Sequence, residues 1–246
     1  MPLETAADRE SRFVDSVLQL QPRVAAFDCD GTLWAPDAGE GFFYWELEKH
    51  LVSEEIERWA RPRYADYRAG KVSEDQMCGE MVTMNRGLGE KDLERAAEEY
   101  FEARVEPQIF PAMRELVRRL AAAGCEIWAV SSTNEWVIRA ALRRFEVSQD
   151  HILAAAVEIE NGRATDRLIR VPSGPAKLRA LEAAGVHSFD AAFGNSRWDQ
   201  AMLERARRPF VVNPFPELEK AGKERGWPIF FPQPLKEKAD PSLRSE

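Results

Sequence analysis

VAAFDCDGTL, residues 24–33, sets a short apolar run against two aspartates and follows them at once with a Gly-Thr turn. In an extended strand, residues i and i+2 point to the same side. Asp28 therefore ends the strand, and Asp30, on the loop just beyond, aims at the same crevice. Two carboxylates this close repel each other unless a cation or a shared proton compensates. Taken alone, an Asp-x-Asp triplet reads most simply as an acidic turn. The apolar strand before it and Gly31-Thr32 behind it point instead to a catalytic pair.

Working outward, the spacing of Phe13, Val17 and Leu20 predicts a helix over 9–20, stopped by Pro22. Residues 40–104 change character: they are charged and helical, with no convincing strand. Ser73-Glu74-Asp75-Gln76 reads as a capping box, and Gly87 and Gly89 break the next helix. From Pro111 the rhythm becomes α/β. Pro111 suits a first helical turn and Gly124 a C-terminal end. CEIWAVSS (125–132) reads as a buried strand and 135–145 as a helix. Segments 154–169 alternate around Asn161-Gly162, a hairpin signal. Helices at 175–184, 198–206 and 216–225 then alternate with strands at 190–194, 209–212 and 227–231. Strands separated by helices predict an α/β fold, a Rossmann-like doubly wound parallel sheet, with an inserted helical module. The polar residues 236–246 are expected to be loose.

With 246 residues the chain is long enough for a full core, and its 44% apolar and 31% charged content is ordinary for a soluble protein. A net charge of −8 argues against nucleic acid as a partner, because a phosphate backbone wants a basic face. No apolar run approaches the ~20 residues of a membrane span, and the acidic first ten residues hold no apolar signal core. Cys29, Cys78 and Cys125 have no metal-like spacing and an odd count, which suits reduced thiols in the cytoplasm. Oligomeric state is not legible.

In a doubly wound sheet, ligands bind outside the carboxyl ends of the strands. Those ends carry Asp28 and Asp30, then Ser131, Ser132 and Thr133, then Asn195 and Ser196 with Asp199 close behind; Lys177 begins a helix nearby. Carboxylates, hydroxyls, one fixed cation and oxygen ligands for a hard metal make a phosphoryl-transfer inventory. Singly, each has a plainer reading: a strand-end serine, a surface lysine, a first-turn helix acid. Asp190 reads as such a strand-edge polar residue, and Cys29 as packing.

Four motifs in order, DCDGT (28–32), Ser131, Lys177 and GNSRWD (194–199), resemble the haloacid dehalogenase superfamily, in its phosphoserine-phosphatase-like branch. The resemblance runs over about 22–231, through VEIENGRAT (157–165) and VNPFPELEKAGKERGWPIF (212–230). It implies a catalytic core over 1–34 and 108–246, with a hairpin flap at about 154–169 and a helical cap over 35–107. It implies a phosphatase of a small soluble phosphomonoester acting through an aspartyl-phosphate. Asp28 would attack phosphorus, and Asp30 would protonate the leaving oxygen and later deprotonate water. Ser131 would bind a phosphate oxygen, helped by the N–H of Ser132 or Cys29, while Lys177 neutralises charge. Mg²⁺ would lie between Asp28, the carbonyl of Asp30, Asn195 and Asp199. Thr32 and Trp34 are further candidate substrate contacts.

The fourth motif normally reads Gly-Asp-Ser; Gly194-Asn195-Ser196 keeps an oxygen ligand but loses its charge. Weaker metal binding is expected. A catalytically impaired binding or regulatory protein, and a transferase passing the phosphoryl group to an alcohol, are the alternatives. In the cap, Asp37 stands where phosphoserine-specific relatives meet the substrate ammonium. Arg58, Arg61 and Arg63 are available for a carboxylate, though none is convincingly placed. The run Phe42 to Trp45 invites a cation–π cage for a quaternary ammonium such as phosphocholine, against its helical spacing.

Overall fold

Strand β1 (Val24–Phe27) lies at the centre of a seven-stranded sheet in the computed structural model, which describes residues 5–233. The readings made of residues 1–4 and of the tail 236–246 lie outside the described residues. The other strands are β2 (Glu126–Asn134), β3 (Ile152–Glu160), β4 (Arg163–Arg170), β5 (Ala191–Gly194), β6 (Arg208–Val212) and β7 (Ile229–Phe230). Their order is β4-β3-β2-β1-β5-β6-β7, and every neighbouring pair is parallel except β3 with β4. The chain runs outward from β1 through β2 to β3, then returns to β5 on the other side of β1. That reversal opens a crevice at the carboxyl ends of β1 and β5.

Alternation along β1 divides the core. Ala25 and Phe27 face one layer with α1 (Ala6–Leu18), α6 (Pro111–Ala122) and α7 (Glu135–Arg143). Ala26 faces the other, with α8 (Pro175–Ala183), α9 (Gln200–Arg205) and α10 (Pro216–Arg225). On the first side Phe27, Phe193 and Phe210 stack across three adjacent strands at ring separations of 4.2 and 4.9 Å. Asp190 ties the starts of β1 and β5 by accepting from the N–H of Arg23 at 2.8 Å, a structural role.

Four helices lie between β1 and α6: α2 (Ala38–Glu48), α3 (Glu54–Arg68), α4 (Glu74–Thr83) and α5 (Glu90–Tyr100). Asp37, Ser53 and Ser73 cap the first three through side-chain oxygens. Only half of the expected capping box forms: Ser73 Oγ accepts from the N–H of Gln76, but the Gln76 amide donates to Glu80 instead of returning. Successive residues of α2 part company. Phe42 joins the main core, whereas Phe43 joins a separate cluster with Leu47, Val52, Ala60, Tyr64, Val72, Met77 and Met84. Helix α5 also packs into the main core through Leu93, Ala97 and Tyr100.

Asn161 and Gly162 both adopt positive φ, +53° and +72°, as a two-residue hairpin turn requires. The hairpin is continuous with the sheet, because β3 pairs with β2 on its other edge. It also braces the helices: Ala164 exchanges backbone hydrogen bonds with Gly87 and Leu88. Among the described residues no helix is long and apolar enough to cross a membrane.

Candidate active site

Asp28 leaves β1 with its N–H bonded to the carbonyl of Phe193 at 2.9 Å, which fixes it against the end of β5. Its Oδ1 accepts from Lys177 Nζ at 2.6 Å and its Oδ2 from Thr32 Oγ1 at 2.8 Å. The chain then turns sharply, with the N–H groups of Thr32 and Leu33 returning to the carbonyl of Cys29. Gly31 is required there twice. Its φ is +72°, and a Cβ would fall 1.8 Å from Asn195 Nδ2.

Asp30 is held on both oxygens. Oδ1 accepts from Trp34 Nε1 at 2.7 Å and from the N–H of Ala38 at 2.8 Å, and Oδ2 accepts from Thr133 Oγ1 at 2.6 Å. Burial and then the charge of Asp37 push its carboxyl up to about 7, against the pull of the Thr133 and Ala38 hydrogen bonds. Burial and the charge of Asp199 push Asp28 up to about 6, partly offset by Lys177 and Thr32.

Lys177 sits in the first turn of α8 and is 2% exposed. Burial disfavours its charge, but Asp199 and Asp28 outweigh that and raise its pKa. Asp199 is fully buried. Its Oδ1 accepts from Lys177 at 2.6 Å; its Oδ2 accepts from the N–H groups of Asn195 and Ser196 and from Ser196 Oγ at 2.9–3.1 Å. Ser131 is also buried, and its Oγ accepts from the N–H of Thr133 at 3.1 Å.

Above these groups lies a cavity of about 540 Å³. Asp28, Asp30, Ser131, Ser132, Lys177 and Asn195 line its base, and Asp37 lines it from the inserted segment. Three candidate residues do not reach it. Thr32 and Trp34 are fully buried and bond to the two aspartates, so they back the site instead of facing a substrate. Asp199, placed by sequence among metal ligands, has its oxygens taken by Lys177 and the 195–196 turn and does not open on the cavity.

The aromatic run is likewise turned away: none of Phe42, Phe43, Tyr44 and Trp45 lines the cavity, and Phe42 and Phe43 are core. From the inserted helices it is lined by the rings of Tyr64 and Tyr67 of α3, with Glu40 of α2 and Glu74 of α4; Trp198 and Phe215 line it from the core. Tyr67 donates to Glu74, and the charge of Glu40 joins burial in raising the pKa of Tyr64. Asp37 opens on the cavity yet is enclosed by protein beyond it; that enclosure raises its pKa, and the charges of Glu40 and Glu74 add to the rise. Arg58 pairs with Glu54, Arg63 pairs with Glu80, and Arg61 lies over the Tyr44 ring. The arginine of α3 that lines the cavity is Arg68. Sequence reasoning passed over Tyr64, Tyr67, Arg68, Glu74 and the role of Thr133. A hydroxyl two residues past Ser131 was the one available signal.

Among the described residues no three His, Cys, Asp or Glu side chains converge on a metal position. The donor set still suits Mg²⁺, which favours oxygen, takes few protein carboxylates and keeps several waters. Asp28, Asp30 and Asp199 bring three buried or half-buried carboxylates against one buried cation, Lys177. Asn195 lies with its amide against Gly31 at the loop that carries Asp30 and lines the cavity base, where an amide can offer an oxygen.

The haloacid dehalogenase-like hydrolase family model matches residues 25–204. The chain is 29% identical over 217 residues to a histidinol-phosphatase of Neisseria meningitidis serogroup C (strain 8013), covering 84% of this chain and 97% of the relative. Among solved structures, a protein of unknown function from Bordetella pertussis Tohama I superposes with a TM-score of 0.75 at 24% identity, covering 85% of this chain and 97% of the other. A substrate-bound phosphoserine phosphatase complex superposes with a TM-score of 0.56 at 15% identity, covering 86% and 93%. With most of its length matched, from the middle strand through the helix after the fourth motif, the chain belongs to the haloacid dehalogenase-like hydrolases.

Proposed function

We propose that this protein is a Mg²⁺-dependent phosphatase of small phosphomonoesters whose leaving alcohol carries a positively charged amine. The observation that carries the reaction is the pair of differently engaged aspartates at the cavity base. Asp28, paired with Lys177, is the nucleophile. It bonds to phosphorus as the ester P–O bond breaks, giving an aspartyl-phosphate. Asp30, with its pKa raised to about 7, is the group able to hold a proton near neutrality. It gives that proton to the departing alkoxide oxygen, then takes one from the water that cleaves the aspartyl-phosphate and releases inorganic phosphate. Lys177 balances phosphoryl charge, and Ser131 with the N–H of Ser132 binds phosphate oxygens. Asp28, the carbonyl of Asp30 and Asn195 would hold Mg²⁺, which supplies charge neutralisation at the phosphoryl group. Asp199 positions Lys177.

The amine follows from the wall facing that base. The charges of Glu40 and Glu74 act on Asp37 there, along a wall shared with Tyr64 and Tyr67, and a substrate ammonium relieves that repulsion. Residues 35–107 act as the cap that selects this group, with the hairpin as flap, and three free cysteines fit a cytoplasmic setting. The relative named for histidinol phosphate hydrolysis fits the same class.

The experiment is turnover of p-nitrophenyl phosphate with and without Mg²⁺, then of a panel with histidinol phosphate, phosphoserine, phosphoethanolamine, phosphocholine and sugar phosphates. Asp28→Asn is expected to lower turnover by about a thousandfold or more. Residual hydrolysis at the wild-type rate overturns the nucleophile. Sugar phosphates matching the amine-bearing esters overturn the leaving-group class alone.

A further inference from the structure

Asp30 receives three hydrogen bonds from three separate segments: the turn after β1 through Trp34, the start of α2 through Ala38, and the tail of β2 through Thr133. A carboxylate has about four acceptor directions, two on each oxygen. Oδ1 spends both of its directions on Trp34 Nε1 and the N–H of Ala38. Oδ2 spends one on the Thr133 hydroxyl and keeps one, and Asp30 opens on the cavity. The proton must therefore be exchanged at Oδ2, whose orientation depends on Thr133.

Thr133 is held in turn. Its N–H is bonded to Ser131 Oγ, and its hydroxyl lies against the first turn of α2. A Cβ built on Gly39 would fall 2.6 Å from Thr133 Oγ1, closer than any side chain tolerates. Gly39 is the second residue of α2 and has no positive φ, so left-handed backbone does not explain a glycine there. What this one permits is contact between α2 and the hydroxyl that steadies Asp30.

We infer that Thr133 and Gly39 are positioning residues for the general acid–base Asp30: the glycine lets the Thr133 hydroxyl reach Oδ2 and so aims that oxygen's free direction at the leaving group. The inference rests on the phosphatase reading above. Neither residue touches the reacting atoms. Both act through Asp30, and both tie proton transfer to the seating of the first inserted helix.

Leaving-group dependence tests this. An alkyl ester needs a proton on its leaving oxygen, whereas nitrophenolate leaves without one, and kcat/KM reports only steps through formation of the aspartyl-phosphate. The esters are p-nitrophenyl phosphate and the alkyl phosphate turned over fastest in the panel above. Thr133→Val and Gly39→Ala are expected to lower kcat/KM for the alkyl ester about tenfold or more, while the aryl ester stays within about threefold. Thr133→Ser, which keeps the hydroxyl, is expected to restore both. Retained turnover of the aryl ester shows that both variants are folded, and Gly39→Ala reaches the same hydroxyl from the α2 side. Equal losses on both esters, or an alkyl value unchanged in both variants, overturn the inference. Wild-type protein inactive on both esters overturns the phosphatase reading, and the inference with it.

Discussion

Lys177 and Asp199 form a 2.6 Å ion pair in which the lysine side chain is 3% exposed and the aspartate not at all. Solvent contributes nothing to either charge, so each depends on the other and on Asp28, which shares the same ammonium. Removing one member of a buried pair strands the remaining charge and costs about 3–5 kcal/mol. Lys177→Met keeps the length of the side chain and leaves two carboxylates facing each other. The expected outcome in EDTA at pH 8 is a loss of that size in urea unfolding; a change under about 1 kcal/mol speaks against the shared pairing. Asp199→Asn leaves Lys177 with Asp28 and is expected to be milder in stability while still lowering kcat about tenfold.

What the sequence made legible follows from which interactions are local. Asp28 and Asp30 are two residues apart on a strand end, so their convergence is written into strand geometry. The sheet's parallel order follows from strands that cannot join without helices. The cavity wall was different. Successive helical residues point about 100° apart, so Phe42 to Trp45 cannot share a face, and they divide between two cores. Tyr64 and Tyr67 share a face of α3 by their i, i+3 spacing, but that this face meets Glu74 of α4 on the cavity is a tertiary choice that no spacing records. Asp199 looked like a metal ligand by position. The 3₁₀ turn at Arg197–Asp199 folds its carboxylate back onto the amides of Asn195 and Ser196.

Metal removal should expose the strain of two buried acids. Asp28 rises from 3.8 to about 6 and Asp30 from 3.8 to about 7. Below pH 3.8 both are protonated folded or unfolded, and stability is at its full value. As pH rises above 3.8, the unfolded chain releases protons that the folded chain keeps, so stability is lost from there up to about 6 for Asp28 and about 7 for Asp30. In EDTA, melting temperature is expected to fall across that window and level off above it. Excess Mg²⁺ at pH 7.5 is expected to restore the loss, since it binds the ionised folded form alone. A melting temperature that Mg²⁺ leaves unmoved there counts against the assigned metal position.

Asn195→Asp supplies the charge that the fourth motif lacks. The side chain already lies against Gly31 at the cavity base, so an isosteric acid fits the same space. It adds a carboxylate to a site where Asp28, Asp30 and Asp199 outnumber Lys177. The variant is expected to melt lower than wild type in EDTA and to bind Mg²⁺ roughly tenfold more tightly by titration calorimetry. Unchanged affinity removes Asn195 from the metal shell.

Glu46 offers a test away from the site. It is 1% exposed, and its Oε1 has no partner; the same holds for Oδ1 of nearby Asn85, whose Nδ2 donates to the carbonyl of Met81. Burial holds the Glu46 carboxyl well above its ordinary 4.5, with the nearby Asn85 amide opposing it. Below 4.5 it is protonated in both states and carries no penalty. As pH rises, the unfolded chain ionises first, so the stability of the neutral buried acid drains away until the folded carboxyl itself ionises. Glu46→Gln stays neutral and brings an N–H₂ that Asn85 Oδ1 can accept from. The variant is expected to match wild type near pH 4 and to exceed it by about 1–3 kcal/mol at pH 8, the usual cost of a buried unsatisfied group. The readout is the difference between the two proteins' unfolding free energies across that range, which cancels the contributions of Asp28 and Asp30. A difference that stays constant with pH shows that Glu46 ionises alike in both states.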